Sequence, residues 1–570
     1  MTKAKYSVNG EPQTYKYAYK SAYDDGIKAV TLPNGKTDTV TTDNFGRMTK
    51  HTLNTTNAIE DVITYKSSKS RPGAYYTTPF VSQMECKAGS GVYARYTYEY
   101  DANRNITSIY DYGTLKASYD YDGLNRLVRE QIPNKSVTVF LYDKEGNITC
   151  KKIFDYETHW NKPTYELFES TEGQTVNYSY MQSGNKDRLL SYNGSGELTY
   201  DSYGNPKQWF KHGSDSSEIK YALGWSQVNR LTEITDTDNN QKYVYTYDYN
   251  GIRTSKQVGN TLHKYYLDGS NIIAETRTTN GVVSKLKYYY GTMGLVGFNY
   301  NGTDYYYQKN VQGDIVRIYN NSGTLYGEYR YDAWGKCTVV TDKNGIASIN
   351  PFRYRGYYLD NETGLCYLNS RYYDPTLGRF LSPDRLDYLD PETLGGLNLY
   401  AYCNNNPVMY VDPSGTIAIA TIVMIIFATV LTIVGGVIGG IVASNNGADG
   451  WGIAAAVLLG MSMGFAAAGL IFAVGGAVLS VIYGTSYLIL GLKATQIFAI
   501  GALMYNFTAM VVAPIYGITM IAIDFKNDPY KPDEPGETPR HPADKHRKSK
   551  LFVSKEERDY YDIGRRRIMA

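Results

Sequence analysis

Up to about residue 411 the chain alternates apolar and polar positions in short runs. Tyr96-Thr97-Tyr98-Glu99-Tyr100 and Tyr243-Val244-Tyr245-Thr246-Tyr247 have a period of two and are built from aromatic and β-branched residues. That period puts one face of each run on a core and predicts half-buried strands. A recurring phrase separates the runs. Asp101, Asp122 and Asp143 stand 21 residues apart, each preceded by a tyrosine (Tyr100, Tyr121, Tyr142). Each is followed by a polar pair and an aliphatic: Arg104-Asn105-Ile106, Asn125-Arg126-Leu127 and Gly146-Asn147-Ile148. The aspartate caps its own turn through its carboxylate, and Gly or Asn accepts the positive φ of a tight hairpin. The phrase returns less regularly at Asp43-Asn44-Phe45-Gly46-Arg47, Asp201-Ser202-Tyr203-Gly204-Asn205, Tyr247-Asp248-Tyr249-Asn250-Gly251 and Tyr331-Asp332-Ala333-Trp334-Gly335-Lys336. A fixed period indicates a repeat architecture whose unit is strand, turn, strand. Residues 15–360 are therefore expected to form a long meander of hairpins. A sheet of that length must curl because strands twist, and spiralling manages its edges.

Tyrosine sharpens the picture. It supplies 59 of the 570 residues, nearly all before residue 411. A ring with a polar tip suits an inner face that is packed in places and wet in others.

The pattern breaks at residue 416. From 416 to 523 the only charged residues are Asp449 and Lys493. The run 416–444 exceeds the ~20 apolar residues that span a bilayer. Two further apolar blocks, 452–492 and 494–523, carry no polar face of period 3.6, as a soluble helical domain would. Small residues recur, as in Gly435-Gly436 and Gly439-Gly440, a spacing that lets helices approach closely in lipid. The expectation is an apolar helical region with three or four membrane helices. Beyond it the chain is polar and proline-rich, with basic clusters at 545–550 and Arg565-Arg566-Arg567. This reads as a partly disordered tail, one that can meet anionic lipid.

Net charge is +2, which steers the chain toward neither acidic nor basic partners. Five scattered cysteines (Cys86, Cys150, Cys337, Cys366, Cys403) show neither a disulfide framework nor metal-ligand spacing. His541 and His546 lack cysteine partners at zinc spacing. No cofactor or metal is expected, and nucleic acid is not favoured as a partner. The first residues hold no apolar run, so a secretory signal peptide is not expected, and export by a dedicated system is.

The Tyr-Asp phrases resemble the repeats of the Rhs/YD-repeat family. More specific are Arg355-Gly356-Tyr357-Tyr358, Arg371-Tyr372-Tyr373-Asp374-Pro375, Gly378-Arg379-Phe380-Leu381-Ser382-Pro383-Asp384, Asn398-Leu399-Tyr400-Ala401-Tyr402, Asn406-Pro407-Val408 and Asp412-Pro413-Ser414-Gly415, which resemble the Rhs repeat-associated core. The resemblance covers about residues 15–415. It implies a mainly β fold in which hairpins spiral into a partial or closed shell. By that resemblance, 1–350 is the shell and 351–415 the core that plugs it. Residues 416–524 are then the apolar helical cargo region and 525–570 the tail. The family includes polymorphic toxins of bacterial competition, the cocoon of insecticidal Tc toxins and, more distantly, the teneurin shell. Whether so short a shell closes alone or needs a completing chain stays open.

In self-cleaving members of the family, two aspartates near the end of the plug cut the chain. By that resemblance Asp412 is one catalytic carboxylate and Asp384 its partner, farther upstream than usual because 385–393 carries an insertion, with Asp390 as the fallback at a more family-like separation. The cut would fall between Gly415 and Thr416. Two positions depart from the family pattern: Val411 stands where an arginine is common, and Thr416 where an aliphatic is common. The implied partners are the chain's own C-terminal region as cargo and a lipid bilayer, with an immunity protein, a shell-completing chain and carbohydrate as further candidates. The implied place is a membrane or the cell exterior. Two functions follow. One is a polymorphic toxin or toxin-delivery protein whose shell holds a membrane-active segment released by aspartate-dependent self-cleavage. The alternative is a membrane-anchored surface protein for adhesion or glycan binding.

Overall fold

Each Tyr-Asp phrase builds the same hairpin. At Asp122 the backbone N–H donates to Arg126 O (3.0 Å), and Asn125 N–H donates to Asp122 O (2.9 Å). The Asp122 carboxylate accepts from the N–H groups of Leu124 and Arg126 (2.9 Å each) and from Arg126 Nε (2.7 Å). Asp101, Asp143 and Asp201 cap their turns in the same way. The later position takes the left-handed conformation, as at Asn125 (φ 61°) and Gly146 (φ 85°).

The tyrosine before the aspartate does two things. First, the ladder slips at that residue: between Glu99 and Tyr100, Asp120 and Tyr121, Leu141 and Tyr142, and Thr246 and Tyr247. Such a bulge bends the strand and adds twist, so the sheet curls at every repeat. Second, its hydroxyl donates to the carbonyl of the aliphatic that ends the preceding phrase. Tyr121 reaches Ile106 O (2.8 Å) and Tyr142 reaches Leu127 O (2.6 Å). Tyr247 reaches Leu231 O and Tyr331 reaches Ile315 O at 2.6 Å.

A computed structural model of the chain describes residues 2–415 apart from 9–10, 22–23, 72–73, 214–216, 227–228 and 385–397, together with the strands Leu488–Ile489 and Leu492–Lys493. The chain divides into two compact units, Met1–Pro514 and Ile515–Ala570, the second lying outside the described residues. The fold is mainly antiparallel β. A first sheet of fifteen strands runs from Thr2–Val8 to Leu189–Tyr192, and a second of thirteen runs from Gln208–His212 to Cys337–Asp342. In both, every strand pairs with its sequence neighbour. The hairpin around Asp201 joins them through Leu198 N–H to Leu190 O and Leu223 N–H to Lys207 O. The meander expected from the sequence is thus continuous across both sheets.

After Asp342 the chain turns inward. Four short strands, Tyr358–Asp360, Leu365–Leu368, Arg371–Asp374 and Arg379–Phe380, form a small sheet in which every residue but Leu359 is buried. One hydrophobic cluster joins this plug to the inward residues of both large sheets. Tyr358 packs edge-on to Tyr265 (5.5 Å between centroids) and Phe352 edge-on to Tyr288 (4.8 Å). The tyrosine-rich inner face is therefore a packed surface around the plug. Buried ion pairs add to it. Asp360 receives Arg253 Nη1 (2.7 Å) and Lys256 Nζ (2.9 Å), and Asp374 receives Trp209 Nε1 (2.8 Å) and faces His212 Nε2 (2.7 Å).

Early strands of the first sheet also meet late strands of the second. Tyr15 Oη donates to Tyr288 O (3.0 Å), Asn34 Nδ2 to Asp304 Oδ2 (2.9 Å) and Asn57 Nδ2 to Ser322 O (2.6 Å). Within 416–524 only the two two-residue strands above are described, paired antiparallel. The helices expected there otherwise lie outside the described residues. Among the described residues no helix is long and apolar enough to cross a membrane.

Candidate functional site

The end of the plug is held by the repeats themselves. Three consecutive 21-residue turns present their polar pairs inward, and plug asparagines bind them. Asn406 Nδ2 donates to Asn125 O (2.8 Å) and Asn105 Oδ1 (3.0 Å). Asn405 Nδ2 donates to Gly146 O (2.6 Å), and Asn398 Nδ2 to Asn147 Oδ1 (2.7 Å). The period that shapes the sheet therefore also fixes 398–406, and with it the segment that leads to Gly415.

Arg371 lies at the centre of that segment. It opens the third plug strand and is buried. Its Nη2 is 2.9 Å from Asp384 Oδ2 and 3.4 Å from Asp412 Oδ2. Nη1 donates to Leu399 O (2.9 Å), and Nε donates to Gly415 O. The guanidinium also lies over the Phe380 ring, 3.5 Å from its centroid. Burial pulls the Arg371 pKa below its ordinary value, while the charges of Asp384 and Asp412 act to raise it. Arginine remains a cation regardless.

The backbone around the two aspartates is equally constrained. Asp384 N–H donates to Leu399 O (3.0 Å). Asp412 N–H donates to Tyr357 Oη (3.0 Å), which in turn is 3.0 Å from Tyr402 Oη. Burial holds the Tyr357 phenol well above its ordinary pKa, so it stays protonated. Ser370 clamps the next turn, its Oγ donating to Ser414 O (2.7 Å). Gly415 has φ 76°, and a Cβ there would sit 2.6 Å from Ser370 Oγ and 2.8 Å from Leu368 O. Only glycine fits.

The structure thus brings Asp384 and Asp412 to one guanidinium that also holds the Gly415 carbonyl. Asp390 and Thr416 lie outside the described residues. Arg371, Ser370 and Tyr357 did not stand out in the sequence, although Arg371 begins the Arg371-Tyr372-Tyr373-Asp374-Pro375 motif. The usable signal was chemical: two buried carboxylates need a buried cation. In general, two acids sharing a site carry one proton between them. A donor fixed on a carbonyl oxygen stabilises the charge that develops there during attack.

The family model described as Teneurin YD-shell matches residues 282–408. The tRNA3(Ser)-specific nuclease WapA of Bacillus spizizenii is 35% identical over 299 residues, 52% of this chain and 12% of that protein. The probable deoxyribonuclease RhsA of Dickeya dadantii is 29% identical over 202 residues, 34% of this chain and 13% of that protein. The crystal structure of TcdB2-TccC3-Cdc42 covers 71% of this chain and 22% of its own, with TM-score 0.48 and 19% identity. The chain spans about an eighth of the length of these curated relatives.

Proposed function

The chain belongs to the Rhs/YD-repeat family, and from that premise we propose that it is a toxin-delivery protein that cuts itself after Gly415. What carries the reading is the meeting of Asp384, Asp412 and the Gly415 carbonyl at Arg371. One guanidinium offsets one carboxylate charge, and the second carboxyl holds a proton. The ionised member takes a proton from water as its oxygen attacks the Gly415 carbonyl carbon. Arg371 Nε stabilises the oxyanion. The protonated member gives its proton to the Thr416 nitrogen as the C–N bond breaks, leaving a Gly415 carboxyl and a free amine.

The released segment would be 416–570. Its uncharged 416–448 stretch and basic tail favour action at a membrane. The nuclease names of WapA and RhsA describe those proteins' own activities. The test is an intact-mass measurement of the purified chain beside Asp412→Asn and Asp384→Asn. The expected result is a native chain split between Gly415 and Thr416, with both variants whole at 64.0 kDa. A native chain that stays whole overturns self-cleavage. Expressing 416–570 alone then tests the cargo, for which growth arrest is expected.

A second reading, an intact surface protein anchored by its apolar region, is favoured by Val411 and Thr416, where the family pattern is broken.

A further inference from the structure

A cavity of about 260 Å³ lies beside the turn that follows the plug's third strand, where three separate parts of the chain meet. The first sheet contributes Glu130, Phe140 and Lys151, the turn of the second sheet contributes Asp332, Trp334 and Lys336, and the plug closes it with 375–378. The cavity has room for about nine waters at liquid density. It falls just below the ~300–1,000 Å³ typical of drug-sized sites. An occupant the size of a monosaccharide fits this space.

Its lining is rich in donors. Lys135 and Lys336 are exposed at the rim, and Lys151 stands deeper, its Nζ donating to Thr376 O (3.3 Å). Trp334 is 4% exposed and lines the wall. Glu130, also 4% exposed, spends one oxygen accepting from Ala333 N–H (2.7 Å). Burial and then the charge of Asp332 push its carboxyl up to about 8, so at neutral pH it too is a donor. Three lysines then face one remaining carboxylate, Asp332, whose Oδ1 is already committed to the N–H groups of Trp334 and Lys336. Phe140, edge-on to Trp334 at 5.8 Å, supplies an apolar wall that suits the face of a sugar ring.

We infer that this cavity binds a small polyhydroxylated anion, a sugar bearing a carboxylate or a phosphate, with Lys151 as its inner contact. Such a ligand touches both large sheets and the plug at once, so its binding would tie the plug in place.

The experiment is calorimetric titration of the purified full chain with glucuronate, with glucose 6-phosphate and with uncharged glucose. The expected result is saturable binding of at least one charged sugar, ten-fold or more tighter than glucose. Which of the two binds tells carboxylate from phosphate. In Lys151→Met the charged sugar should lose at least ten-fold in affinity. Lys336→Ala at the rim replaces Lys151→Met if circular dichroism shows that the latter does not fold, and a five-fold loss is expected. No binding by either charged sugar, equal binding of glucose, or unchanged affinity in the folded lysine variant overturns the inference.

Discussion

His51 lies between two carboxylates where the first sheet meets the second. Its Nε2 is 2.5 Å from Asp38 Oδ1 and its Nδ1 3.5 Å from Asp61 Oδ2, and all three side chains are buried. The other Asp38 oxygen crosses to the second sheet and accepts from Thr292 N–H and Oγ1–H (2.6 Å each). Burial alone would lower the His51 pKa, but the hydrogen bonds and charges of Asp38 and Asp61 outweigh it and push it up to about 9. A folded-state pKa above the unfolded ~6.5 gives stability that is full below pH 6.5 and is lost as pH rises through about 9. The difference in urea midpoint between the native chain and His51→Gln should therefore be widest near pH 6 and shrink by pH 9.5. A gap that widens with pH would sink the assignment. Arg371 is the second residue-scale case. Removing it as Arg371→Met leaves two buried carboxylates without their cation, a loss of about 3–5 kcal/mol. Denaturant unfolding in an Asp412→Asn background, where self-cleavage is expected to be lost, should show a smaller loss, because only one acidic group is then left without the guanidinium. The two aspartates were legible as motif residues. Arg371 was not, because it stands 41 positions from Asp412 and no local pattern says which carboxylates an arginine will reach.

At the scale of the element, the repeat explains why its first letter is tyrosine and not phenylalanine. The ring fills the inner face, while the hydroxyl donates to the carbonyl of Leu127 in the preceding phrase. Tyr142→Phe should cost about 1 kcal/mol for the lost bond, more if the Leu127 carbonyl finds no water. Tyr203→Phe, at a ring 59% exposed inside a turn, should fall within about 0.5 kcal/mol of zero. Equal effects at the two sites in thermal unfolding would count against a role for the hydroxyl. The hairpins themselves were readable because period, turn residue and aspartate cap are all local. The second sheet was less readable from the Tyr-Asp phrase, since several of its hairpins turn without it. Asn280-Gly281 and Asn301-Gly302 close theirs with positive φ at both residues, the two-residue turn that Asn-Gly signals. The bond that ties each tyrosine to the previous repeat was hidden, because it runs across the sheet to a residue about fifteen positions earlier.

For the whole molecule, the packed interior is the property that sequence patterning left open. Alternation says which face is inward but not what fills the space, and here the chain's own plug fills it. Both large sheets and the plug share one cluster, so they should unfold together although the chain is far longer than the single domains that usually behave as two-state. Asp360 tests this. It is fully buried and serves two cations, Arg253 at 0% exposure and Lys256 at 2%. Asp360→Asn keeps the shape and removes the charge. Lys256 retains Glu362 at 2.8 Å, while Arg253 loses the one acidic partner it has among the described residues. A buried cation without its carboxylate should cost about 3–5 kcal/mol. If the plug is integral to the fold, amide exchange should accelerate by the same factor in the second-sheet strand Arg253–Val258, in the plug strand Arg371–Asp374 and in the first-sheet strand Ser136–Tyr142, all of which feed the shared cluster. Acceleration confined to the plug strand would mean that the two sheets hold together without it, and that the plug is a lodger in a shell that stands alone.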